Sequence, residues 1–466
     1  MSPTSGASTA QLKRSIGLVS AIALVISNII GTGVFKKVVP MAAELQSPNL
    51  ILLAWLLAGL LSLSGTLSNA EVASMLADSG GEYVYFRKIY GRFFAFLFGW
   101  TQFAVIRTAA IASIAYVFAQ SLNSLIALPD TPANLAEISL FGIHPLDNLS
   151  VKLVTIALVW LLTYANVRGV SIGEKISNSL TVLMIAVMVF LIVTGLFASG
   201  GSWSNLSLEA APPTGGSLVS ALGLACLSAF WAYEGWASVG YIGGELKDPQ
   251  RNLPRALTIG CVVVMSIYLL MNLVYVRMLP INELIALKSQ PNTIGAVVAV
   301  GKYLGVAGSL LVSCLILVTT FNCTSSSVLT ASRLFYAMAR DGQFFRAINY
   351  VHPTHQTPSR SLILQAVWTT VMVLSGSFDQ LTDMLIFASF IFYGATAVGV
   401  FVLRSRMPDA PRPYRVIGYP VVPAIFILFC GFLVISTLFN RPTEALVGLG
   451  LMATGLPFYF LWSRKI

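Results

Sequence analysis

Two short segments hold the residues whose types and spacing could do chemistry. The first reads Asn28-Ile29-Ile30-Gly31-Thr32-Gly33-Val34, and the second reads Phe230-Trp231-Ala232-Tyr233-Glu234-Gly235-Trp236-Ala237-Ser238-Val239-Gly240. Both lie inside apolar runs. Two glycines flanking a threonine disfavour continuous helix. In hydrocarbon, open backbone persists only where it lines a cavity or binds something. Taken alone, Gly-x-Gly is also explained by close helix packing through small residues. The second segment tips the balance, because an ionisable residue such as Glu234 in mid-span marks a functional site by default.

A helix that stops and restarts exposes complementary groups. The new N-terminus offers unpaired N–H groups and a partial positive charge. The N–H groups near Thr32 and Gly33, with the Thr32 hydroxyl, therefore suit a carboxylate. Carbonyls left open around Ile29, and those near Trp231 and Glu234, suit an ammonium. An anion site beside a cation site matches the α-carboxyl and α-amino groups of an amino acid.

The composition shows what must position these segments. Of 466 residues, 56% are hydrophobic and only 10% charged, with mean hydropathy +0.81. Soluble domains are roughly 45–50% apolar and about 25% charged, so a soluble enzyme and a disordered chain are excluded. The net charge of +10 is spread without a basic run, so no nucleic-acid partner is expected; the partner surface is the lipid bilayer. Spans of about 20 apolar residues are predicted near 16–39, 49–76, 92–122, 150–166, 176–199, 217–243, 255–279, 303–332, 360–376, 379–403, 417–439 and 442–463. The third and eighth are long enough to protrude or tilt.

Cations orient the chain. Twenty of the 28 Lys and Arg residues fall on the side of the N-terminus and seven on the other, with Arg107 left inside a span. That asymmetry puts both termini in the cytoplasm of a multi-pass protein of the inner or plasma membrane. Residues 1–15 read as a short cytoplasmic tail rather than a signal peptide. Pro280 to Lys302 reads as a two-part helical flap on the outer face, and 123–150 as an external segment without cysteine. The five cysteines sit in apolar runs at no metal-ligand spacing, and the three histidines in polar loops. No metal and no cofactor are expected. With neither His-Glu-x-x-His nor Gly-x-Ser-x-Gly, an enzyme is the weakest reading.

The broken spans are the first helices of two five-span halves. Interrupted segments in corresponding positions point to a transporter binding site.

Five segments carry a family resemblance. They are IIGTGVF, NAEVASMLADSGGEYVYFRKIYG, FWAYEGWASVGYIGGELKDPQRNLPRAL, TASRLFYAMARDGQFF and RPYRVIGYPVVPAIFIL, spread over most of the chain. Together they resemble the amino acid–polyamine–organocation superfamily, closest to the L-type amino acid transporters and their bacterial relatives. The resemblance implies an all-α membrane protein of 12 transmembrane helices. These take a leucine-transporter-like 5+5 inverted repeat with discontinuous helices 1 and 6. Repeat one would be 16–199, repeat two 217–403, and helices 11 and 12 would fill 417–463.

The resemblance also implies roles. Thr32 and Gly33 would hold the substrate carboxylate, and the carbonyls of Ile29, Trp231 and Glu234 the amino group. Trp231 would gate the site from outside. Val105, Ile106 and Ser238 would face the side chain, as would Ser325 and Ser326 more weakly. The expected activity is secondary transport of amino acids, neutral ones first, by exchange or proton symport. A cationic amino acid or polyamine carrier is the rival, and a non-transporting sensor is the rival of another class.

The sequence departs from the family's patterns in three places. Thr181 stands where many bacterial relatives have a lysine, which leaves sodium, proton and plain exchange open. Glu234 replaces a common Gly or Asp; it either faces the pocket or is a satisfied buried acid. Residues 123–150 lack the cysteine that links relatives to a heavy chain, so no disulfide-linked partner is expected. Arg107 is expected to make a structural ion pair or a carbonyl contact rather than touch substrate. Glu71 and Glu245 would pair with cations of the 333–360 loop or remain solvated at helix ends.

Overall fold

Backbone that cannot bond to water must bond to itself, so a chain this apolar folds as helices. The computed structural model describes residues 14–76, 80–132, 134, 138, 145–210, 218–290, 293–375, 378–440 and 442–463. The first half runs α1 (Leu18–Ile29), α2 (Gly33–Lys36), α3 (Val38–Leu45), α4 (Pro48–Met75), α5 (Glu82–Ile89), α6 (Arg92–Thr101), α7 (Arg107–Leu125), α8 (Leu149–Arg168) and α9 (Val170–Phe197). The second runs α10 (Leu218–Tyr233), α11 (Pro249–Met278), α12 (Ile281–Ala286), α13 (Gly295–Arg340), α14 (Ser359–Ser375), α15 (Phe378–Arg406), α16 (Val421–Asn440), α17 (Pro442–Ala453) and α18 (Gly455–Ser463).

Among the described residues, ten helices are long and apolar enough to cross a membrane. The expected spans at 217–243 and 360–376 correspond to α10 and α14, of 16 and 17 residues. The protein is thus a multi-pass, all-helical membrane protein. Large apolar side chains such as Leu60, Phe190, Leu428 and Phe439 are exposed on it, as a surface solvated by lipid tails requires.

Local chemistry sets the irregularities. A π turn, Gln102–Ile106, joins α6 to α7. The 46-residue α13 bends at Gly305, whose φ of 62° a side chain would resist. The turns before that bend, with α12, form the two parts expected of the 280–302 flap. The expected external segment 123–150 lies partly outside the described residues, as does nearly all of the 1–15 tail.

At one end of the bundle the segment leading into α1 is pinned. The Ser15 and Ile16 N–H groups donate to the Glu245 carbonyl at 3.0 and 3.1 Å, and the Lys247 N–H donates to Ile16 at 2.9 Å. Helix α5 lies at the same end, where the Gly80 N–H reaches the Tyr241 carbonyl at 3.0 Å.

Candidate functional site

Both suspect segments are broken. Helix α1 ends at Ile29, and Ile30 is extended (φ −75°, ψ 91°). The chain restarts as α2 at Gly33 behind Thr32. Helix α10 ends at Tyr233, and Gly235 turns with φ 110° into a 3-10 helix, Trp236–Tyr241. The breaks lie against each other. A Cβ on Gly235 would come 2.3 Å from the Asn28 carbonyl oxygen, and one on Gly33 would come 2.3 Å from the Ala232 Cβ. Only glycine permits that approach.

Tyr268 of α11 ties the breaks together. Its hydroxyl lies 3.2 Å from the Ile29 carbonyl oxygen and 3.0 Å from that of Ala232. Other backbone donors also meet the opened carbonyls: the Gly31 N–H donates to Ile29 at 2.9 Å and the Glu234 N–H to Trp231 at 3.4 Å.

Between the breaks lies a narrow cavity lined by Asn28, Ile29, Gly31, Thr32, Gly33, Arg107, Ala110, Ile114, Trp231, Glu234, Gly235, Cys323 and Ser327. The Thr32 hydroxyl is buried and has no hydrogen-bond partner among the described residues, an arrangement that costs free energy unless a ligand completes it. It stands at the start of α2, where the first helical N–H groups are open.

The comparisons with known proteins agree with this architecture. The amino acid permease family model matches residues 16–460. The serine/threonine exchanger SteT of Bacillus subtilis (strain 168) is 32% identical over 456 residues, 97% of this chain and 98% of its own. The human b(0,+)-type amino acid transporter 1 is 29% identical over 98% of this chain and 91% of its own. The human large neutral amino acids transporter small subunit 2 is 30% identical over 99% and 83%. The chain belongs to the amino acid permease family. That is the superfamily its motifs resemble, and these relatives are transporters.

In the permease, five of the sequence-predicted residues meet at the cavity: Ile29, Thr32, Gly33, Trp231 and Glu234. The other five lie off its wall. Val105 and Ile106 are buried in the π turn. Ser238 is fully buried in the 3-10 helix. The Ser326 hydroxyl lies 2.7 Å from that of Ser27, clamping α13 to α1. Ser325, half-buried on α13, is also off the wall.

Glu234 combines the two alternatives open to it. It lines the cavity, yet the Tyr393 hydroxyl lies 2.8 Å from each carboxylate oxygen, and Arg107 Nη2 is 3.6 Å away. Arg107 is buried, donates from Nε to Gln102 Oε1 at 3.1 Å, and lines the cavity itself. It thus makes the expected ion pair from the cavity wall. Thr181 accepts from Asn322 Nδ2 at 2.9 Å.

Sequence reasoning missed Tyr268, Tyr393, Cys323 and Ser327. Tyr268 sits in an apolar run without a Gly, Pro or charge beside it; Tyr393 does have Gly394 next to it, and Cys323 and Ser327 lie in the polar stretch Asn322 to Ser327, signals that could have drawn attention to them.

At the α5 end, Glu245 pairs with Arg333 at 2.8 Å, as expected. Glu71 does not pair with the 333–360 loop. Its carboxylate accepts from Arg404 Nε and Nη2 at 2.9 and 2.8 Å and from the Val416 N–H at 2.7 Å, and Arg412 lies 3.6 Å off. The reason is geometric: a bidentate guanidinium fits a carboxylate better than any single contact, and α15 ends beside α4. On the far side of the cavity, Lys36 Nζ donates to Gln120 Oε1 at 3.3 Å, joining α2 to α7.

Proposed function

We propose that the permease is a secondary transporter that exchanges neutral L-amino acids across the plasma or inner membrane by alternating access. The carrying observation is the unpartnered, buried Thr32 hydroxyl at the start of α2, inside a cavity framed by both helix breaks. The α-carboxylate would lie on Thr32 and the N–H groups around Gly33. The α-amino group would lie on second lone pairs of the Ile29, Trp231 and Glu234 carbonyls.

Charge supports the neutral class. Glu234 is engaged by Arg107 and Tyr393, so no uncommitted acid waits for a cationic side chain. A cationic amino acid or polyamine would have to displace Arg107. Exchange is favoured over proton symport by the name of the Bacillus relative, a serine/threonine exchanger.

The proposed frame is the twelve-helix one, with α10 and α14 as the two shorter spans. Its units are the 1–15 tail, repeats 16–199 and 217–403, and helices in 417–463. Both termini would be cytoplasmic by the Lys and Arg asymmetry, so the α5 end faces the cytoplasm and Lys36 faces outward. Helices carrying the two breaks, with α4 and α11, would rock against the rest. Trp231 would close the site from outside.

The test is uptake of a labelled neutral amino acid into proteoliposomes loaded with each amino acid in turn, with and without sodium or pH gradients. Exchange predicts uptake only into vesicles loaded with an accepted substrate. Equal uptake into empty vesicles, or uptake only into lysine- or putrescine-loaded ones, would overturn the reading.

A further inference from the structure

Three acids are buried at the α5 end, and they are not held alike. Glu71 and Glu245 each face a guanidinium within hydrogen-bond distance. Glu82, which is fully buried, has none: among the described residues no Lys or Arg lies within ion-pair distance of it. Its carboxylate is met by neutral donors from three elements, Asn69 Nδ2 of α4 at 3.4 Å, the Tyr241 hydroxyl of the 3-10 helix at 3.4 Å, and Thr396 Oγ1 of α15 at 3.0 Å.

We propose that Glu82 is a proton-binding site that closes the cytoplasmic gate, so that each inner closure takes up a proton and each opening releases it. This rests on the alternating-access reading given above. Its geometric basis is the seam on which Glu82 sits. Asn69 and Tyr241 belong to the helices that would rock, Thr396 to the part that would stay. Opening separates the donors and admits water; closing seals the carboxyl in again.

The surroundings agree on the sign. Burial above all pushes the Glu82 carboxyl up, to about 7, and Glu234 adds to the rise; Thr396, Arg107 and Tyr241 pull it down. Arg107 is the cation acting on it, and its guanidinium already faces Glu234 and lies 5.4 Å over the Tyr241 ring. On α4 the neighbouring acid, Glu71, is neutralised by Arg404. The open, solvated carboxyl reverts toward 4.5. The closed form therefore holds the proton more tightly, and acid favours closure while alkali favours opening.

The experiment is exchange in proteoliposomes, with the pH on the cytoplasmic face of the protein stepped from 6 to 8. A one-proton requirement with midpoint near 7 lowers the rate about tenfold over that interval. Glu82→Gln, which keeps the donors' partner but cannot titrate, should change less than twofold. Thr396→Val removes the shortest donor and should move the wild-type midpoint upward. If Glu82→Gln fails to fold, Thr396→Val decides: an unmoved midpoint overturns the proposal. A flat wild-type profile with brisk exchange, or a Glu82→Gln chain that keeps the full profile, also overturns it while leaving the transport reading intact. If no exchange occurs at any pH, the transport reading falls. Infrared titration of the purified protein then decides: a carboxylic C=O band titrating near 7 in wild type and missing in Glu82→Gln supports the site, and no such band overturns it.

Discussion

Gly235 faces the Asn28 carbonyl so closely that an added Cβ would stand 2.3 Å from its oxygen. The mirrored contact is Gly33 on Ala232, again at 2.3 Å for an added Cβ. Each break is seated on the last turn before the other. The atoms met are backbone or Cβ atoms rather than flexible side-chain ends, so neither can yield without moving a helix.

It follows that Gly33→Ala and Gly235→Ala should each abolish exchange while the chain still inserts. Gly235→Ala carries the added strain of a positive φ, of order 1–2 kcal/mol. The check is uptake beside surface expression for both variants. Wild-type uptake by either would mean the breaks do not pack as described. Because the Gly33 Cβ meets Ala232, a bulkier residue there tests helix approach as well as carboxylate binding, and Thr32→Val is the cleaner probe of the carboxylate.

How far the site was legible beforehand depends on backbone versus rotation. The breaks at 30–32 and 234–235 could be read because Gly-Thr-Gly and Glu-Gly are costly inside apolar helix, and the cost is local. Tyr268 and Tyr393 could not, because a helix buried on one side and lipid-facing on the other shows no polar face to set its rotation. For the same reason Val105 and Ile106 sit in a π turn off the cavity wall, since one extra residue in a turn shifts every side chain after it. Glu71 was matched to the wrong cations because its partner, Arg404, is 333 residues away along the chain. The general course of the long helices, set by apolar length, needed none of this.

The Arg107–Glu234 pair should behave as a unit. Removing one partner of a buried pair leaves an uncompensated charge, at a cost of about 3–5 kcal/mol. Arg107→Gln and Glu234→Gln should each lower stability and neutral amino acid exchange sharply, and the double variant should recover much of both. Arg107→Gln alone frees Glu234 and should let lysine or arginine compete with a neutral substrate; Glu234→Gln should not. Thermal unfolding and competition uptake on the three variants check this. Additive losses in the double variant would mean the two side chains are uncoupled.

Burial should separate two ion pairs of similar length. Lys302–Glu283 at 2.9 Å is roughly half exposed, whereas Arg333–Glu245 at 2.8 Å is buried. Glu283→Gln should change stability by no more than about 1 kcal/mol. Glu245→Gln strands Arg333, which also donates to the Leu329 carbonyl and the Ser332 hydroxyl, and should cost about 3–5 kcal/mol. It should also bias the permease toward its cytoplasm-open form. Unfolding midpoints of the purified variants give the comparison, and equal shifts would contradict the burial difference.

Cys323 offers a reporter of occupancy. Its thiol lines the cavity, lies 3.4 Å from the Asn28 carbonyl oxygen and would touch a Cβ on Gly31 at 3.4 Å. Any substrate resting on the first break must cover it. Among the five cysteines Cys314 is the exposed one and the other four are buried, so Cys314→Ser gives a background in which labelling reports opening of the bundle. A small maleimide should then inactivate exchange slowly, because thiolate is the reacting form and the thiol is shielded. Saturating substrate should slow inactivation several-fold, and adding Cys323→Ala should abolish it. Labelling of Cys323 at the same rate with and without a transported amino acid would place the ligand elsewhere, and with it the carboxylate role of Thr32 would go.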